Sequence, residues 1–458
     1  MKYTIDVLEK ESFDCIVCGG GISGITAAIS AARFGLSVAI IEQMGCFGGT
    51  ATNSRVCQML GGRKYQEQTG KMDRKIGGLF DEMTDRLISR GEGIDPDTID
   101  VNWNPYGWYP RMAAGIPIDG EKFKCLLDDM IVEEKVRPYL FTRVVETLVN
   151  NEAITSILLH NKSGFFSLKS KYFIDATGDA DVAVLSGCST VKGREKDGLM
   201  TPATLIFHAD NVDGDALVAY QNANNSPKLV EIIDELRTKG IWDFPFDIFI
   251  TVQLNDKDVF MVNTLRQVGI DGTDGDSITR GMIDGRRDTQ TLFKLMKEHF
   301  PGFGNARIRL VAETIGIRET RRIIGLNYVT LHDALEGKCY PDCICRTTYN
   351  FDLPDPLKPS YDPMMGSGAH PNAERQYETI EVPYGVMIPD KVNNLLVTGR
   401  AVSVDHEVLG SLRVMGPCML LGQAAGTSAA LAFKESTTFP AVDGITLRKK
   451  LIEDGCLL

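Results

Sequence analysis

The stretch FDCIVCGGGISGITAAISAARFGLSVAIIE, residues 13–42, decides the fold of this chain. It opens with Phe13–Cys18, an apolar run in which only Asp14 is polar, as expected for a strand buried on both faces of a parallel sheet. Apolar residues then recur at helical spacing, and Gly35 marks the end of that helix. A second buried strand, Leu36–Ile41, follows. The stretch therefore predicts a strand–helix–strand unit.

Three glycines, Gly19, Gly21 and Gly24, join the first strand to the helix in a Gly-x-Gly-x-x-Gly pattern. In this context the first glycine permits a tight turn, the second lets the backbone approach a pyrophosphate, and the third lets the helix pack closely on the strand. The first helical turn, with Ile22 and Ser23, offers unpaired N–H groups and a positive dipole end to phosphates.

Glu42 ends the second strand 18 residues after Gly24. This is close to the spacing of about 20 residues expected for a carboxylate that binds a ribose diol. The next residue is Gln43. An arginine at this position would accommodate a 2′-phosphate on the ribose of the dinucleotide, so its absence argues against that phosphate. The complete unit predicts an adenine dinucleotide, and by itself it leaves FAD and NAD open. A glycine-rich turn in another α/β protein would lack this combination of strand, helix and acidic terminus.

Length and composition limit the other classes of function. A chain of 458 residues is long for one compact core. Its net charge of −12 argues against nucleic acid or an anionic membrane as the main partner. Eleven scattered cysteines and an N-terminus without a signal-peptide run predict a cytoplasmic protein. Pro417 and Gln423 interrupt the apolar stretch Val414–Phe433, which we interpret as a buried helix and not as a membrane span.

Four separated segments carry a family resemblance. They are the N-terminal unit with Gly48-Gly49-Thr50, FIDATGDADVA at 173–183, RETRRIIG at 318–325, and the segment 395–432 that begins LLVTGR. With these segments the chain resembles FAD-dependent oxidoreductases of the glutathione-reductase/p-hydroxybenzoate-hydroxylase type of flavin fold. Within them it is most similar to the bacterial branch related to the flavin subunits of fumarate and heterodisulfide reductases.

The resemblance implies an α/β fold in which a Rossmann-like FAD-binding domain is built from discontinuous segments and carries an inserted α+β substrate domain. For residues 55–120 two interpretations remain, a cap over the site or an excursion that forms an interface. The expected division is 1–200 for the N-terminal segments of the FAD domain, 201–304 for the inserted substrate domain, 305–338 for the FAD domain continued, 339–380 for an irregular cap or substrate segment, and 381–458 for the C-terminal segment of the FAD domain.

FAD is the cofactor that the resemblance implies. The Gly-Gly-Thr loop would lie along the ribityl chain and phosphate, and the helix from about Val414 would aim its positive end at the flavin pyrimidine, which favours the reduced flavin anion. The expected contacts are Gly19, Gly21, Ile22, Ser23, Gly24, Glu42, Gln43, Gly48, Gly49, Thr50, Ala51, Val144, Ala176, Thr177, Gly178, Asp179, Gly399, Arg400, Ser411, Arg413, Val414 and Gln423.

The catalytic candidates are His406, Arg413 and Arg318. His406 would move a proton while hydride moves to or from flavin N5; hydrogen bonding to the flavin or capping a loop is the alternative. Arg413 would bind flavin O2 or a substrate oxyanion. Arg318, with its neighbours Arg321 and Arg322, would anchor an acidic or hydroxylated substrate, or would form a structural ion-pair cluster with Glu313 and Glu319. His208 is a weaker candidate.

The sequence departs from the pyridine nucleotide–disulfide branch. Ala51 and Asn53 stand where that branch has a redox cysteine pair, with a lone Cys57 beyond. No second Gly-x-Gly-x-x-Gly follows, since Gly302-x-Gly304 and Gly366-x-Gly368 lack the third glycine. A built-in NAD(P)H domain is therefore not expected, and the flavin must exchange electrons with an external donor or acceptor.

Two groups of cysteines invite other interpretations. Cys339-x3-Cys343-x-Cys345 matches neither zinc nor ferredoxin spacing, so we expect thiols and no metal site. Cys46 beside the expected flavin path is open as a covalent attachment point, a redox thiol or a small packing residue.

The leading hypothesis is an FAD-dependent oxidoreductase that moves two electrons between flavin N5 and a small organic substrate. A flavin-carrying electron-transfer subunit that works with a partner protein, and a protein that uses FAD structurally, are the alternatives. We expect no nucleic-acid or membrane partner, and homo-oligomerisation is left open.

Overall fold

The computed structural model describes residues 4, 6–66, 68–99, 115–357 and 377–458. Trp103–Pro110, Gly366, Gly368 and part of the expected irregular segment 339–380 therefore lie outside the described residues. The α-helices are α1 Ile22–Arg33, α2 Gly78–Ser89, α3 Gly120–Glu133, α4 Asp181–Leu185, α5 Gly214–Ala223, α6 Val230–Thr238, α7 Gly275–His299, α8 Leu331–Leu335, α9 His406–Leu412, α10 Met415–Glu435 and α11 Gly444–Glu453.

The strands form one large sheet, a second sheet of four strands and several two-stranded ribbons. They are β1 Leu8–Cys18, β2 Val38–Ile41, β3 Gln58–Met59, β4 Arg63–Gln66, β5 Lys71–Arg74, β6 Ile116–Pro117, β7 Arg137–Tyr139, β8 Arg143–Asn150, β9 Ala153–Asn161, β10 Gly164–Asp175, β11 Thr190–Lys192, β12 Phe207–Asp210, β13 Thr251–Gln253, β14 Phe260–Val262, β15 Arg307–Val311, β16 Arg321–Ile323, β17 Cys343–Thr347, β18 Ile380–Pro383 and β19 Leu395–Val397.

The large sheet has the order β7-β2-β1-β10-β9-β8, and β19 pairs with the end of β10. The strands β7, β2, β1, β10 and β19 run parallel, whereas β8, β9 and β10 form an antiparallel meander. Cys18 is in register with Ile41 and Asp175, and Asp175 with Val397. Four parallel strands therefore end at one edge, where ligands bind in open α/β sheets. The predicted α/β class and the first strand–helix–strand unit are confirmed.

The C-terminal helix α10 packs against α1. Two glycines of α10 allow the close approach: a Cβ at Gly422 would lie 2.1 Å from the carbonyl oxygen of Ser23, and a Cβ at Gly426 would lie 2.2 Å from that of Ala27. The hydroxyl of Thr26 donates to the carbonyl of Met419 over 2.8 Å. The small residues of the predicted buried helix thus join the last segment of the chain to the first.

The second sheet has the order β13-β14-β12-β15, and α5, α6 and α7 pack around an apolar cluster of its own. The expected boundary at residue 304 is wrong, because β15 (Arg307–Val311) pairs with β12 and so extends this unit to Val311. Arg307 and Arg309 are exposed on this edge strand, so its sequence does not resemble a core strand.

The segment 339–380 is not irregular throughout, because Cys343–Thr347 forms β17 and pairs with β18. Ile344, Cys345, Ile380 and Val382 belong to the same buried cluster as α1 and α10. This part of the segment is therefore core of the large domain.

No single helix in the described ranges is long and apolar enough to cross a membrane. Among the residues that the structure describes, α9 and α10 taken together reach the required length and composition, and they are bent by 91° at Arg413 and Val414.

Candidate functional site

Two of the three glycines at the start of α1 are required by the packing of the protein itself. Gly19 has a φ of +105°, and a Cβ there would lie 2.3 Å from the carbonyl oxygen of Ala176. A Cβ at Gly24 would lie 1.9 Å from the carbonyl oxygen of Gly19. Gly21 differs, since the nearest described atom to its Cβ would be Gly49 Cα at 3.9 Å. The protein thus leaves space in front of Gly21.

The second glycine loop lies directly against the first. Gly48 donates to the carbonyl of Gly20 over 2.9 Å and forms a parallel bridge with Gly21. Gly48 and Gly49 have φ values of +103° and +56°, and Thr50 and Ala51 continue a single 3-10 turn from Gly49. The backbones of both loops therefore line one channel that a side chain would narrow.

Glu42 lies at the end of β2 beside these loops. Its carboxylate accepts hydrogen bonds from the backbone N–H groups of Gly20 and Met44, both at 2.7 Å. Burial raises its pKa above the usual value, while these backbone donors oppose that shift. Each carboxylate oxygen keeps a lone pair for a further donor, such as a ribose hydroxyl. Gln43 next to it is exposed.

The turn after β10 is held by a buried aspartate. Asp175 accepts from the N–H and hydroxyl of Thr177 and from the N–H of Ala183. Burial raises its pKa to about 6. Ala176 donates its N–H to the carbonyl of Cys18 over 2.7 Å, so the turn lies against the first glycine loop.

The third and fourth motif segments meet this turn at Asp179. Its carboxylate accepts from Arg400 Nη2 and from the hydroxyl of Thr320, both at 2.6 Å. Gly178 has a φ of +81°, and a Cβ there would lie 2.3 Å from Arg400 Nη1. Arg400 lies in the 3-10 turn Gly399–Ala401 that follows β19. Four segments that are far apart in the chain thus surround one edge of the sheet.

The hydroxyl groups of Ser23 and Thr398 lie 2.9 Å apart and close this arrangement. Gly399, with a φ of +78°, would place a Cβ 3.3 Å from that of Ser23. Thr398 stands inside the LLVTGR motif but was not among the predicted contacts. Its position directly before Gly399 was the signal that could have identified it.

His406 is the first residue of α9 and is buried. Its Nδ1 lies 2.8 Å from Oε1 of Glu319, which also binds Arg322 Nη1. The other oxygen of Glu319 accepts from the N–H and hydroxyl of Thr201. Burial alone would raise the pKa of Glu319, but its hydrogen bond to His406 and the charges of His406 and Arg322 hold that pKa below its usual value. The ring orientation of His406 is therefore fixed through Nδ1.

The arginines of RETRR separate into different environments. Arg322 forms the expected ion pair with Glu319, and Arg321 binds Asp181 over 2.9 Å. Glu313 binds Arg55 instead of these arginines. Arg318 contacts the carbonyl of Pro202, the hydroxyl of Thr204 and the amide oxygen of Asn263. The ion-pair interpretation thus describes Arg321 and Arg322, and Arg318 is left with neutral partners.

Polar atoms without a protein partner lie along the segment that leads to α10. Among the described residues, Nε of Arg400, Oγ of Ser411 and Nε of Arg413 are buried and have no hydrogen-bond partner. Arg413 stands at the bend between α9 and α10, directly before Val414, the N-cap of α10. Its Nη2 binds the carboxylate of Asp352 at 2.9 Å.

Two further expected cofactor contacts stand on other elements, α10 and β8. Gln423 is buried more than one turn inside α10, and its amide oxygen accepts from the N–H of Leu79 in the first turn of α2. Val144 in β8 is half-buried against the apolar cluster on the sheet face opposite α1.

The remaining candidates are placed as follows. His208 is buried, and its Nε2 lies 3.2 Å from the carbonyl oxygen of Arg55. Cys46 lies 3.1 Å from the amide oxygen of Asn53, and burial raises the pKa of its thiol. Cys343 and Cys345 are buried, and Cys339 is exposed. Within the described ranges no group of three or more His, Cys, Asp or Glu side chains could hold a metal ion.

A family model described as FAD dependent oxidoreductase matches residues 14–451. The chain belongs to this family. FAD is therefore the cofactor of this protein, as the sequence predicted.

Two kinds of relative are similar to this FAD-dependent oxidoreductase. A thiamine thiazole synthase of Methanococcus aeolicus is 27% identical over 207 residues, which are 44% of this chain and 68% of that protein. A geranylgeranyl bacteriochlorophyll reductase-like protein of Thermoplasma acidophilum has 13% identity and a TM-score of 0.49, covering 97% of this chain and 84% of that chain. A p-nitrophenol 4-monooxygenase of Pseudomonas putida has 10% identity and a TM-score of 0.46, covering 97% of this chain and 86% of that chain. None of these similarities identifies a substrate.

The residues at the sheet edge fit FAD. The space before Gly21 suits a pyrophosphate, and the second glycine loop faces the same space. Glu42 has acceptor capacity for a ribose. The unpartnered Nε of Arg400, which lies against Gly178 at this edge, matches a cofactor rich in hydroxyl, carbonyl and phosphate oxygens.

Proposed function

We propose that this protein catalyses a redox reaction in which two electrons move between the flavin and a small organic substrate. The observation that carries this proposal is the contact between the cofactor loop and the second sheet. The carbonyl of Asn53, shortly after the Gly-Gly-Thr loop, accepts from the N–H of Thr314, three residues after β15, over 3.2 Å, and the hydroxyls of Ser54 and Thr314 lie 2.9 Å apart. In the second sheet itself, Nε2 of His208 in β12 lies 3.2 Å from the carbonyl oxygen of Arg55. The inserted domain thus adjoins the segment after the cofactor loop, and the junction between two such units is a common position for a small-molecule site.

FAD, when bound, supplies the hydride acceptor or donor. We assign His406 to move the accompanying proton. Because Nδ1 of His406 is bound to Glu319, Nε2 is the nitrogen left to exchange a proton with the substrate. The negative charge of Glu319 stabilises the imidazolium that forms when His406 takes a proton. Glu319 acts through His406 and is a positioning residue.

Arg413 and Arg318 are assigned to charge stabilisation. Arg413 keeps an unpartnered, buried Nε–H among the described residues, although its Nη2 binds Asp352. A guanidinium at the start of α10 adds its full charge to the partial positive charge of the helix end. The guanidinium of Arg413 and the helix end together stabilise negative charge that develops on a substrate oxygen or on the bound cofactor.

An external molecule must complete the electron cycle, because the chain contains one Gly-x-Gly-x-x-Gly unit and no second one. The test is anaerobic reduction of the purified, FAD-loaded protein by a panel of small organic donors, followed by addition of acceptors. Loss of the visible flavin absorbance with a small donor is the expected result. Reduction that requires a partner protein, or no reduction by any donor or acceptor pair, would contradict the proposal.

A further inference from the structure

Three arginines, Arg266, Arg318 and Arg413, lie together where the second sheet meets the bend between α9 and α10. Nη1 of Arg266 and Nη1 of Arg318 both contact the hydroxyl of Thr204, at 3.3 and 2.8 Å. Both also contact Asn263, Arg266 at the backbone carbonyl over 2.9 Å and Arg318 at the amide oxygen over 3.3 Å. Two guanidinium groups are therefore adjacent.

Neutral oxygens are the hydrogen-bond partners of this adjacent pair. Arg266 donates further to the carbonyls of Leu265 and Thr264, and Arg318 donates to the carbonyl of Pro202. Burial lowers the pKa of Arg266 to about 10. Burial, and then the charges of Arg266 and Arg413, lower the pKa of Arg318 further. The positive charges thus repel one another and are not each neutralised by a carboxylate.

Within the described ranges these three arginines bind one carboxylate, that of Asp352. Arg413 makes this contact. The side chain of Asp352 is 47% exposed, so water weakens its effect on the cluster. The three guanidinium groups and this carboxylate carry a combined charge of about +2. Buried positive charge without a counter-charge is costly, and proteins retain it where a ligand supplies the counter-charge.

Unused hydrogen-bond donors belong to two of these arginines and to Ser411, which stands two residues before Arg413. Nε of Arg266, Nε of Arg413 and the hydroxyl of Ser411 are buried without a partner in the described part of the chain. Arg266 is 7% exposed and Ser411 is fully buried. These groups combine charge with directed N–H and O–H bonds, which is the donor set for an oxyanion with several acceptor oxygens.

We infer that Arg266, Arg318, Arg413 and Ser411 bind the anionic group of the substrate, a carboxylate or a phosphate. The inference rests on the proposed function, because it gives the substrate of that reaction a negative charge. Arg266 is the specificity-determining residue that it adds. The cluster lies beside the start of α10, so an anion held there leaves the rest of the substrate to extend along the segment that borders the cofactor.

The experiment measures ligand binding to the FAD-loaded protein by calorimetry at constant ionic strength. The probes are succinate, its neutral diamide, inorganic phosphate and glycerol phosphate. We expect at least one anion to bind and the diamide not to bind. Arg266→Gln should weaken anion binding by about tenfold to a hundredfold, the loss of one charge-assisted contact. Preference for succinate or for the phosphates then distinguishes the two kinds of anion.

Arg287→Gln is the matched control, because it removes one positive charge from α7 where the side chain is 76% exposed. It should leave the binding unchanged. If Arg266→Gln does not fold or does not hold FAD, Ser411→Ala and Arg266→Lys replace it, and both should weaken binding less. Equal binding of succinate and its diamide, no binding of any anion, or unchanged affinity in these folded variants would overturn the inference.

The two proposals fail in different ways. Binding of an anion that depends on Arg266, in a protein whose flavin no donor reduces, would refute the redox proposal and support the anion site. Flavin reduction by neutral donors, with no anion binding and no effect of Arg266→Gln, would refute the anion site and support the redox proposal.

Discussion

The hydroxyl of Ser23, in the first turn of α1, lies 2.9 Å from the hydroxyl of Thr398, which follows β19. These residues are 375 positions apart. The contact joins the start of the dinucleotide unit to the last strand of the large sheet. Because Gly21 and Gly399 stand beside these two residues, an N-terminal and a C-terminal segment together border the candidate FAD site.

Gly21→Val should abolish FAD binding without unfolding the protein. A Cβ at this position would meet no described atom closer than 3.9 Å, and a φ of −65° is open to any residue. The side chain would instead fill the space for the pyrophosphate. We expect colourless protein with far-ultraviolet circular dichroism like that of wild-type apoprotein. Retention of stoichiometric FAD would contradict this role for Gly21.

Gly24→Ala should behave differently and lower the stability of the fold itself. Its Cβ would lie 1.9 Å from the carbonyl oxygen of Gly19, so α1 must shift away from β1. Overpacking of this kind costs about 1–3 kcal/mol or more. Chemical denaturation of the apoprotein measures the difference, and a stability equal to that of Gly21→Val would show that packing does not distinguish the two glycines.

His406→Gln should retain FAD and slow its reduction by the substrate. Glutamine keeps a donor for Glu319 but cannot exchange a proton near neutral pH. The loss of general acid–base catalysis predicts a decrease of about 10²–10⁴-fold in the rate constant. Rapid-mixing measurements of flavin absorbance give this rate constant. His332→Gln, at an exposed histidine, is the control and should leave the rate unchanged.

His208 should make the stability of the protein depend on pH. Burial lowers its pKa from 6.5 to about 4, so the folded state favours the neutral ring. Its contribution to stability is complete above pH 6.5 and is lost as the pH falls toward 4. Between about pH 7 and pH 5, the unfolding free energy of the wild type should therefore fall by about 2 kcal/mol more than that of His208→Gln. The control His299→Gln, at an exposed residue of α7, should show the same pH dependence of unfolding free energy as the wild type.

Gln423→Met should reduce stability and leave FAD content unchanged. The substitution removes the acceptor for the N–H of Leu79 at the start of α2, and an unsatisfied buried donor costs about 1–3 kcal/mol. Thermal unfolding and the ratio of flavin to protein absorbance measure the two quantities. Loss of FAD from a folded variant would return Gln423 to the cofactor contacts that the sequence suggested.

The arrangement of the glycine loops and turns at the sheet edge could be predicted because its determinants are local. The glycines at 19, 21 and 24 require particular backbone conformations, and an apolar strand precedes them, so their arrangement follows from neighbouring residues. The same holds for Asp175 at the end of β10 and for Gly399 after β19. In each case a buried parallel strand ends in a short turn, which a continuous apolar run followed by glycine or aspartate indicates.

The substrate side could not be predicted in the same way, because its contacts join residues that are distant in sequence. Arg266 stands in a segment without helical or strand periodicity, and only folding brings it to Thr204 beside Arg318. The pairing of Glu319 with His406 spans 87 positions. Edge strand β15 was assigned to the FAD domain because a strand's own residues do not show which sheet it joins, and its partner β12 lies far earlier in the chain.

The pairing of β19 with β10 also orders the events of biosynthesis. Residues 395–397 complete the sheet edge at Asp175, from which they are separated by more than two hundred residues of sequence. Contacts of such long range form late, since loop closure precedes any gain from pairing. We therefore expect the edge that borders the candidate FAD site to be completed late in folding, only after β19 has been synthesised and has paired with β10.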